Sequence, residues 1–180
     1  MTGDTLADRV ARAIRLVPDF PRPGIRMRDI SPIVEGDPRL FAAVIDAMAG
    51  FFCADPPDTV MCIEAWGFIF GAPVAYLPGA RLCVARRPGK LSGEAMSETY
   101  DMSYAQGRAL AIQTDAVRVG ERVVIIDDVV ASGETALAGM ALIKRAGGRC
   151  VGVGCLAGFP DWGIRRIIDK GIPVHSIANL

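Results

Sequence analysis

Apolar and polar positions along the chain change period several times, and each change marks an element. Leu6, Val10, Ile14 and Val17 recur at helical spacing behind Thr5-Leu-Ala-Asp8, a capping-box-like start with Asp in place of Glu or Gln. Residues 5–17 are therefore predicted to form an amphipathic helix, broken by the three prolines of "PDFPRPG" (Pro18–Gly24). Asp37-Pro38 opens a second helix over Pro38–Cys53, with Leu40, Val44, Ile45 and Met48 on one face. Short apolar runs then alternate with helical stretches. Thr59–Ala65, Arg81–Arg87, "ALAIQ", Glu121–Asp127, "CVGVGCLAG" and "IPVHSIA" read as strands. "GFIFGAPVAYLPG", Thr135–Ala146 and Trp162–Lys170 read as helices, the second closed by Gly147-Gly148. Strands separated by helices predict an α/β fold with a parallel sheet covered on both faces.

One segment does not fit this rhythm. Pro88–Gly107 is polar, punctuated by glycine and too long for an ordinary connection, which suits a lid, a small β-excursion or disorder. No internal repeat or interdomain linker interrupts the 180 residues, so a single domain over 1–180 is expected.

Composition narrows the possible functions. Half of the residues are hydrophobic, and 20 basic residues balance 20 acidic ones. That balance argues against nucleic acid as the main partner. No apolar run is long enough to cross a bilayer, and "MTGDTLADRV" does not read as a signal peptide. The five cysteines are scattered, mostly in apolar runs and without zinc-ligand spacing, as expected of buried thiols in a reducing cytoplasm.

The chemistry concentrates in "VVIIDDVVASGETA" (Val123–Ala136). In a parallel α/β sheet, ligands bind beyond the carboxyl ends of the strands, where Asp127 and Asp128 are expected. The loop Ala131-Ser132-Gly133-Glu134-Thr135 leads into a helix N-terminus. Its free amides and the Ser132 and Thr135 hydroxyls suit a phosphate monoester. The two carboxylates can accept hydrogen bonds from hydroxyls and help hold Mg²⁺. A ribose 5-phosphate satisfies both halves.

"VVIIDDVVASGETA" resembles the phosphoribosyl-pyrophosphate (PRPP) motif of the type I phosphoribosyltransferases. "PDFPRPGIRMRDISPIV", "EAWGFIFGAPVA", "RRPGKL", "SETYDMSYAQG" and "GIPVHSI" resemble, in order, segments of the adenine phosphoribosyltransferases. The resemblance implies a parallel-sheet core, an N-terminal hood over about residues 1–35, a mobile loop over about 88–107, Mg²⁺-PRPP as donor and a homodimer. It assigns the ribose hydroxyls to Asp127 and Asp128, which would also help hold Mg²⁺, and the 5′-phosphate to Ala131–Thr135. It assigns the leaving pyrophosphate to Arg86, Arg87, Lys90 and the position of Trp66. The acceptor falls to Arg26, Met27, Arg28 and Phe159, and action on the acceptor's proton to Ser103 and Tyr104, with Glu98 or Asp101 as substitute carboxylates. Glu134, beside a phosphate, must be turned away or paired.

Three positions depart from the family. Met27 stands where a stacking Phe is usual, Trp66 where an Arg helps bind pyrophosphate, and Ser103 where the loop has a glutamate. Adenine, giving AMP, is the default acceptor. A different heterocycle or a small-molecule hydroxyl is the alternative, and a non-catalytic PRPP-binding regulator or partner subunit ranks below both.

Overall fold

The computed structural model describes residues 3–102 and 105–180. Helix α1 (Leu6–Ala13) carries the capping box: Thr5 accepts from the Asp8 amide at 3.2 Å, and Asp8 accepts from the Thr5 amide at 3.0 Å. The helix is shorter than its spacing predicts. Ile14 leaves it, and Arg15–Pro18 form strand β1, which pairs antiparallel with β2 (Arg26–Asp29). An ion pair of Arg15 with Asp29 locks this register. Cross-strand partners thus win residues 15–17 from a helix whose only fully buried side chain is Val10.

A π-helical turn (Pro32–Gly36) leads to α2 (Pro38–Gly50), where Asp37 accepts the Arg39 and Leu40 amides at 3.0 Å. Then follow β3 (Thr59–Ile63), α3 (Trp66–Tyr76) and β4 (Arg81–Ala85). Next come β5 (Ala95–Met102), β6 (Ala105–Gln113), β7 (Arg122–Val130) and α4 (Glu134–Arg145). The chain closes through β8 (Arg149–Gly158), a π-helical turn (Pro160–Ile164), α5 (Arg165–Ile168) and β9 (Val174–Asn179).

The five central strands run parallel in the order β4-β3-β7-β8-β9. Their two faces feed two cores. Met61, Ile63, Val123 and Ile125 point to the side of α4, whereas Val60, Cys62, Val124 and Ile126 point to the side of α1, α2 and α3. Alternate residues of one apolar strand are therefore buried on opposite faces, the expected signature of a covered parallel sheet. Helix α3 lies close on this sheet because Gly67 and Gly71 face it. A Cβ on Gly67 would meet the Ile126 carbonyl oxygen at 2.7 Å, and one on Gly71 the Cys62 sulfur at 2.1 Å.

The Pro88–Gly107 segment and "ALAIQ" resolve into a β-excursion. Strands β5 and β6 form an antiparallel hairpin outside the central sheet, so "ALAIQ" does not add a parallel strand. Met96 and Tyr100, on one face of β5, pack against the α4-side core, while Ser97 and Thr99 on the other face are exposed. Arg145 fastens the hairpin to the last turn of α4 through the Ser97 carbonyl at 2.7 Å and Glu98 at 3.0 Å.

Candidate active site

The carboxyl ends of β3, β4, β7 and β8 converge with the β1–β2 hairpin. Strand β7 does not stop at Asp127 as its apolar run predicts. Val129 and Val130 continue the ladder opposite Ala157 and Gly158, because β8 extends as far. The acid pair therefore sits inside the last turn of a held strand. Asp127 is 9% exposed, and its Oδ1 accepts the Asp128 amide at 2.9 Å. Burial, then the charge of Asp128, pushes the Asp127 carboxyl well above the usual carboxylate range. Burial also raises Asp128, while hydrogen bonds from neighbouring groups offset part of that rise. Among the described residues neither carboxylate has an arginine or lysine in ion-pair reach. A buried and a half-buried acid side by side without a counter-cation suit hydroxyl donors or a cation arriving with a ligand.

Beyond β7 the chain turns at Gly133, whose φ of +79° favours glycine, and enters α4. No side chain caps this helix, so the amides of its first turn are left for a ligand. Asp127, Ala131, Ser132, Gly133 and Thr135 line a small cavity here of about 40 Å³. Glu134 is paired, as its place demands. It lies 2.6 Å from Arg166, which also donates to the Ser132 carbonyl at 2.8 Å. The loop is braced from behind by Gly163. A Cβ there would meet the Ala131 carbonyl oxygen at 2.2 Å, and one on Gly133 would meet the Gly163 carbonyl oxygen at 2.8 Å. Neither Arg166 nor Gly163 carries a local sequence signal, since both act on a segment about thirty residues away in the chain.

Cations gather at the ends of β3 and β4. Glu64 accepts the Arg87 amide at 2.8 Å and lies 3.4 Å from the Arg86 guanidinium. Burial opposes ionisation of Glu64, but these donors outweigh it and hold its carboxyl below the usual value. Arg86 also donates to the Lys90 carbonyl at 3.0 Å and lies 5.9 Å from the Phe68 ring centroid, with its Nε buried and unpartnered. The structure therefore brings Arg86 and Arg87 to an anchor, Glu64, that sequence reasoning did not assign, whereas Lys90 is joined to them through its backbone. The Glu64–Ala65 peptide that follows is cis. Trp66 opens α3 and packs, half-buried, against the core of the α1–α3 side.

At the other end of the site the β1–β2 hairpin presents Arg28 to Phe159. The Arg28 guanidinium lies over the Phe159 ring, 4.9 Å from its centroid, and Trp162 meets that ring edge-on at 6.2 Å. Side chains alternate along a strand, so Met27 lies on the face of β2 opposite to Arg28 and Arg26. Of the substitute carboxylates, Glu98 is engaged by Arg145, and Asp101 accepts the Gly107 amide at 2.7 Å. Ser103 and Tyr104 lie outside the described residues.

The described residues hold no cluster of three or more potential metal ligands. What they assemble is an uncapped helix N-terminus, an acid pair on the strand before it, a group of cations, and an aromatic wall under the hairpin.

Residues 34–169 match the family model described as phosphoribosyl transferase domain. The chain is 44% identical over 152 residues to the adenine phosphoribosyltransferase of Anaeromyxobacter dehalogenans (strain 2CP-C), covering 84% of this chain and 87% of that protein. It is similar in structure to adenine phosphoribosyltransferase from Rhodothermus marinus, with a TM-score of 0.90 at 36% identity over 99% of this chain and 100% of that one. It is also similar to APRTase from Giardia lamblia complexed with 9-deazaadenine, with a TM-score of 0.90 at 30% identity over 98% of each chain.

Proposed function

The chain belongs to the phosphoribosyl transferase family, and from that premise we propose that it transfers the 5-phosphoribosyl group of PRPP to adenine, forming AMP and releasing pyrophosphate. One observation carries the reading: an acid pair, Asp127 buried and Asp128 half-buried, has no counter-cation among the described residues and stands beside an uncapped helix N-terminus built of backbone amides. A ribose 5-phosphate meets both needs, hydroxyls at Asp127 and Asp128 and phosphate at Ala131–Thr135. The relatives described above are adenine phosphoribosyltransferases, which favours adenine over another heterocycle or a hydroxyl acceptor and favours an enzyme over a silent PRPP-binding shell.

Each remaining group has work in this reaction. Arg86, Arg87 and Lys90 offer preorganised positive charge to the departing pyrophosphate. The unpartnered Nε of Arg86 is a donor waiting for an anionic oxygen. The wall of Phe159 and Trp162 under the hairpin receives the planar base. The β5–β6 hairpin is proposed to cover the crevice and exclude water from a transition state with oxocarbenium character, with Ser103 and Tyr104 proposed to act on the acceptor's proton.

Asp127 and Asp128 fit a shared Mg²⁺ site, since that ion is usually held by one or two carboxylates completed by substrate phosphates. Held there with PRPP, Mg²⁺ would supply positive charge to offset that of the pyrophosphate. A homodimer working in the cytoplasm completes the proposal. Ile69 and Tyr76 of α3, Leu77 just after it and Leu82 of the edge strand β4 expose apolar surface suited to a second copy.

The test is pyrophosphate release from Mg²⁺-PRPP with adenine, guanine, hypoxanthine and orotate as acceptors. AMP from adenine as the dominant product is expected. Preference for any other base would overturn the acceptor assignment, and PRPP binding without turnover would overturn the enzyme.

A further inference from the structure

The chain has one histidine, and the fold builds a seat for it. His175 lies near the start of β9, where the Phe51 ring stacks on it at 5.0 Å between centroids and the Phe52 ring meets it edge-on at 5.6 Å. Phe52 in turn lies on β8 at two glycines. A Cβ on Gly152 would meet the Phe52 ring at 2.9 Å, and one on Gly154 at 3.3 Å. The glycines of "CVGVGCLAG" therefore make room for an aromatic cluster.

This cluster lines a cavity of about 450 Å³ together with Arg122, Arg149 and Asp55. The two arginines open β7 and β8 and face each other across the ladder. In a parallel sheet that puts them at the amino end, opposite to the crevice of the acid pair. Asp127 is five residues further along β7 than Arg122, roughly 16 Å away. The cavity is thus separate from the site described above.

Its charges are unbalanced. The Arg122 guanidinium pairs with Asp55 and donates to the Pro56 carbonyl at 2.9 Å. Arg149 is exposed and has no ion pair among the described residues. A free guanidinium matches the paired oxygens of a phosphate group, and the aromatic wall matches a flat ring. The volume falls in the range of small-molecule sites, roughly 300–1,000 Å³, and exceeds what a bare phosphate ion fills.

We propose that this cavity is a second binding site that takes a nucleoside monophosphate, its phosphate on Arg149 and its base against the wall of His175 and Phe51. The site does not depend on which base is the acceptor, and a nucleotide held there leaves the PRPP crevice open.

The lone histidine is its own reporter, since its imidazole Hε1 proton gives one NMR signal in the full chain made without a histidine tag. AMP, and separately inorganic phosphate, are titrated at fixed pH and ionic strength. The wild-type signal should move and saturate, with AMP half-saturating at about 1 mM or below and phosphate binding more weakly because it lacks the ring. Arg149→Gln, at an exposed position, should raise the half-saturating AMP concentration about tenfold, and Arg149→Glu should remove the shift. KM for PRPP should stay within about twofold in both variants, as the two sites are remote. No saturable movement of the wild-type signal would overturn the inference. So would a half-saturation that Arg149→Gln leaves unchanged, which would report AMP in the PRPP crevice, or phosphate binding as tightly as AMP. A PRPP KM that rises in step with the AMP half-saturation would also overturn it. Absence of AMP formation by the wild type would overturn the proposed function and leave this site standing.

Discussion

Replacing Gly163 by alanine tests how the phosphate loop is positioned, at a residue that touches no substrate. The new Cβ would lie 2.2 Å from the Ala131 carbonyl oxygen and 2.8 Å from the Gly133 nitrogen. These atoms must retreat by about 1 Å to regain ordinary van der Waals separation. The segment that carries Gly163 is the better anchored of the two. The Ile164 amide donates to the Phe159 carbonyl at 3.1 Å, and Ile164 and Ile167 are buried in the core. The loop, with its uncapped amides, moves instead. A misplacement of about 1 Å in a binding constellation costs on the order of 10²-fold in rate. Overpacking costs roughly 1–3 kcal/mol of stability, and each kcal/mol is worth about 2–4 °C in Tm for a domain of this size. Gly163→Ala should therefore lower kcat/KM for PRPP by roughly 100-fold with a fall of a few degrees in Tm, since the loop donors move while the core remains. Steady-state kinetics with PRPP varied and a thermal melt measure both. A variant whose Tm falls but whose kcat/KM for PRPP stays within twofold would refute the bracing role.

Three further outcomes follow from other parts of the molecule. Asp128→Asn should raise the KM for PRPP by roughly 10- to 100-fold, the loss of a hydrogen bond to a charged acceptor, without lowering Tm, because it removes a like charge beside Asp127; an unchanged KM would refute the diol site. Asp29 is held down to about 2 by the Ser31 hydroxyl first, then by the Ser31 amide and Arg15. A depressed carboxyl stabilises the fold fully above its unfolded value of 3.8 and loses that contribution as pH falls towards about 2, so Asp29→Asn should flatten the loss of stability between pH 4 and 2 in acid titrations followed by circular dichroism. Burial pushes the thiols of Cys62, Cys83 and Cys155 up to about 12 and that of Cys150 to about 11, while Cys53 is exposed; a thiol reagent at pH 8 should label one equivalent quickly in the native protein and five after unfolding.

The parts of this account that were legible in the sequence are those set by neighbours in the chain. The covered parallel sheet follows from short apolar runs separated by helices. The acid pair and loop lie in fourteen consecutive residues, and the capping box of α1 in four. The parts that escaped are set by distant partners. Residues 15–17 carry a helical pattern, but pairing across the hairpin, with Arg15 against Asp29, makes them a strand. The β5–β6 hairpin was legible in part, as a β-excursion and the strand "ALAIQ" that buries Leu110 and Ile112; its partner β5 marks its buried face only with Met96 and Tyr100, four residues apart with the charged Glu98 between them. Glu64, Gly163 and Arg166 shape the site through groups on other elements, and no local motif announces such contacts. Met27 drew attention by its position in the motif, although strand alternation alone sets it on the face opposite to Arg28.

The central claim, phosphoribosyl transfer to adenine at the acid pair and its loop, is tested most directly by a single turnover. Enzyme loaded with Mg²⁺-PRPP is mixed with radiolabelled adenine, quenched, and its products separated. The account predicts AMP and pyrophosphate in a one-to-one ratio, with the signal lost in Asp127→Ala. Pyrophosphate with free ribose 5-phosphate and unreacted adenine, or full AMP formation by Asp127→Ala, would contradict it.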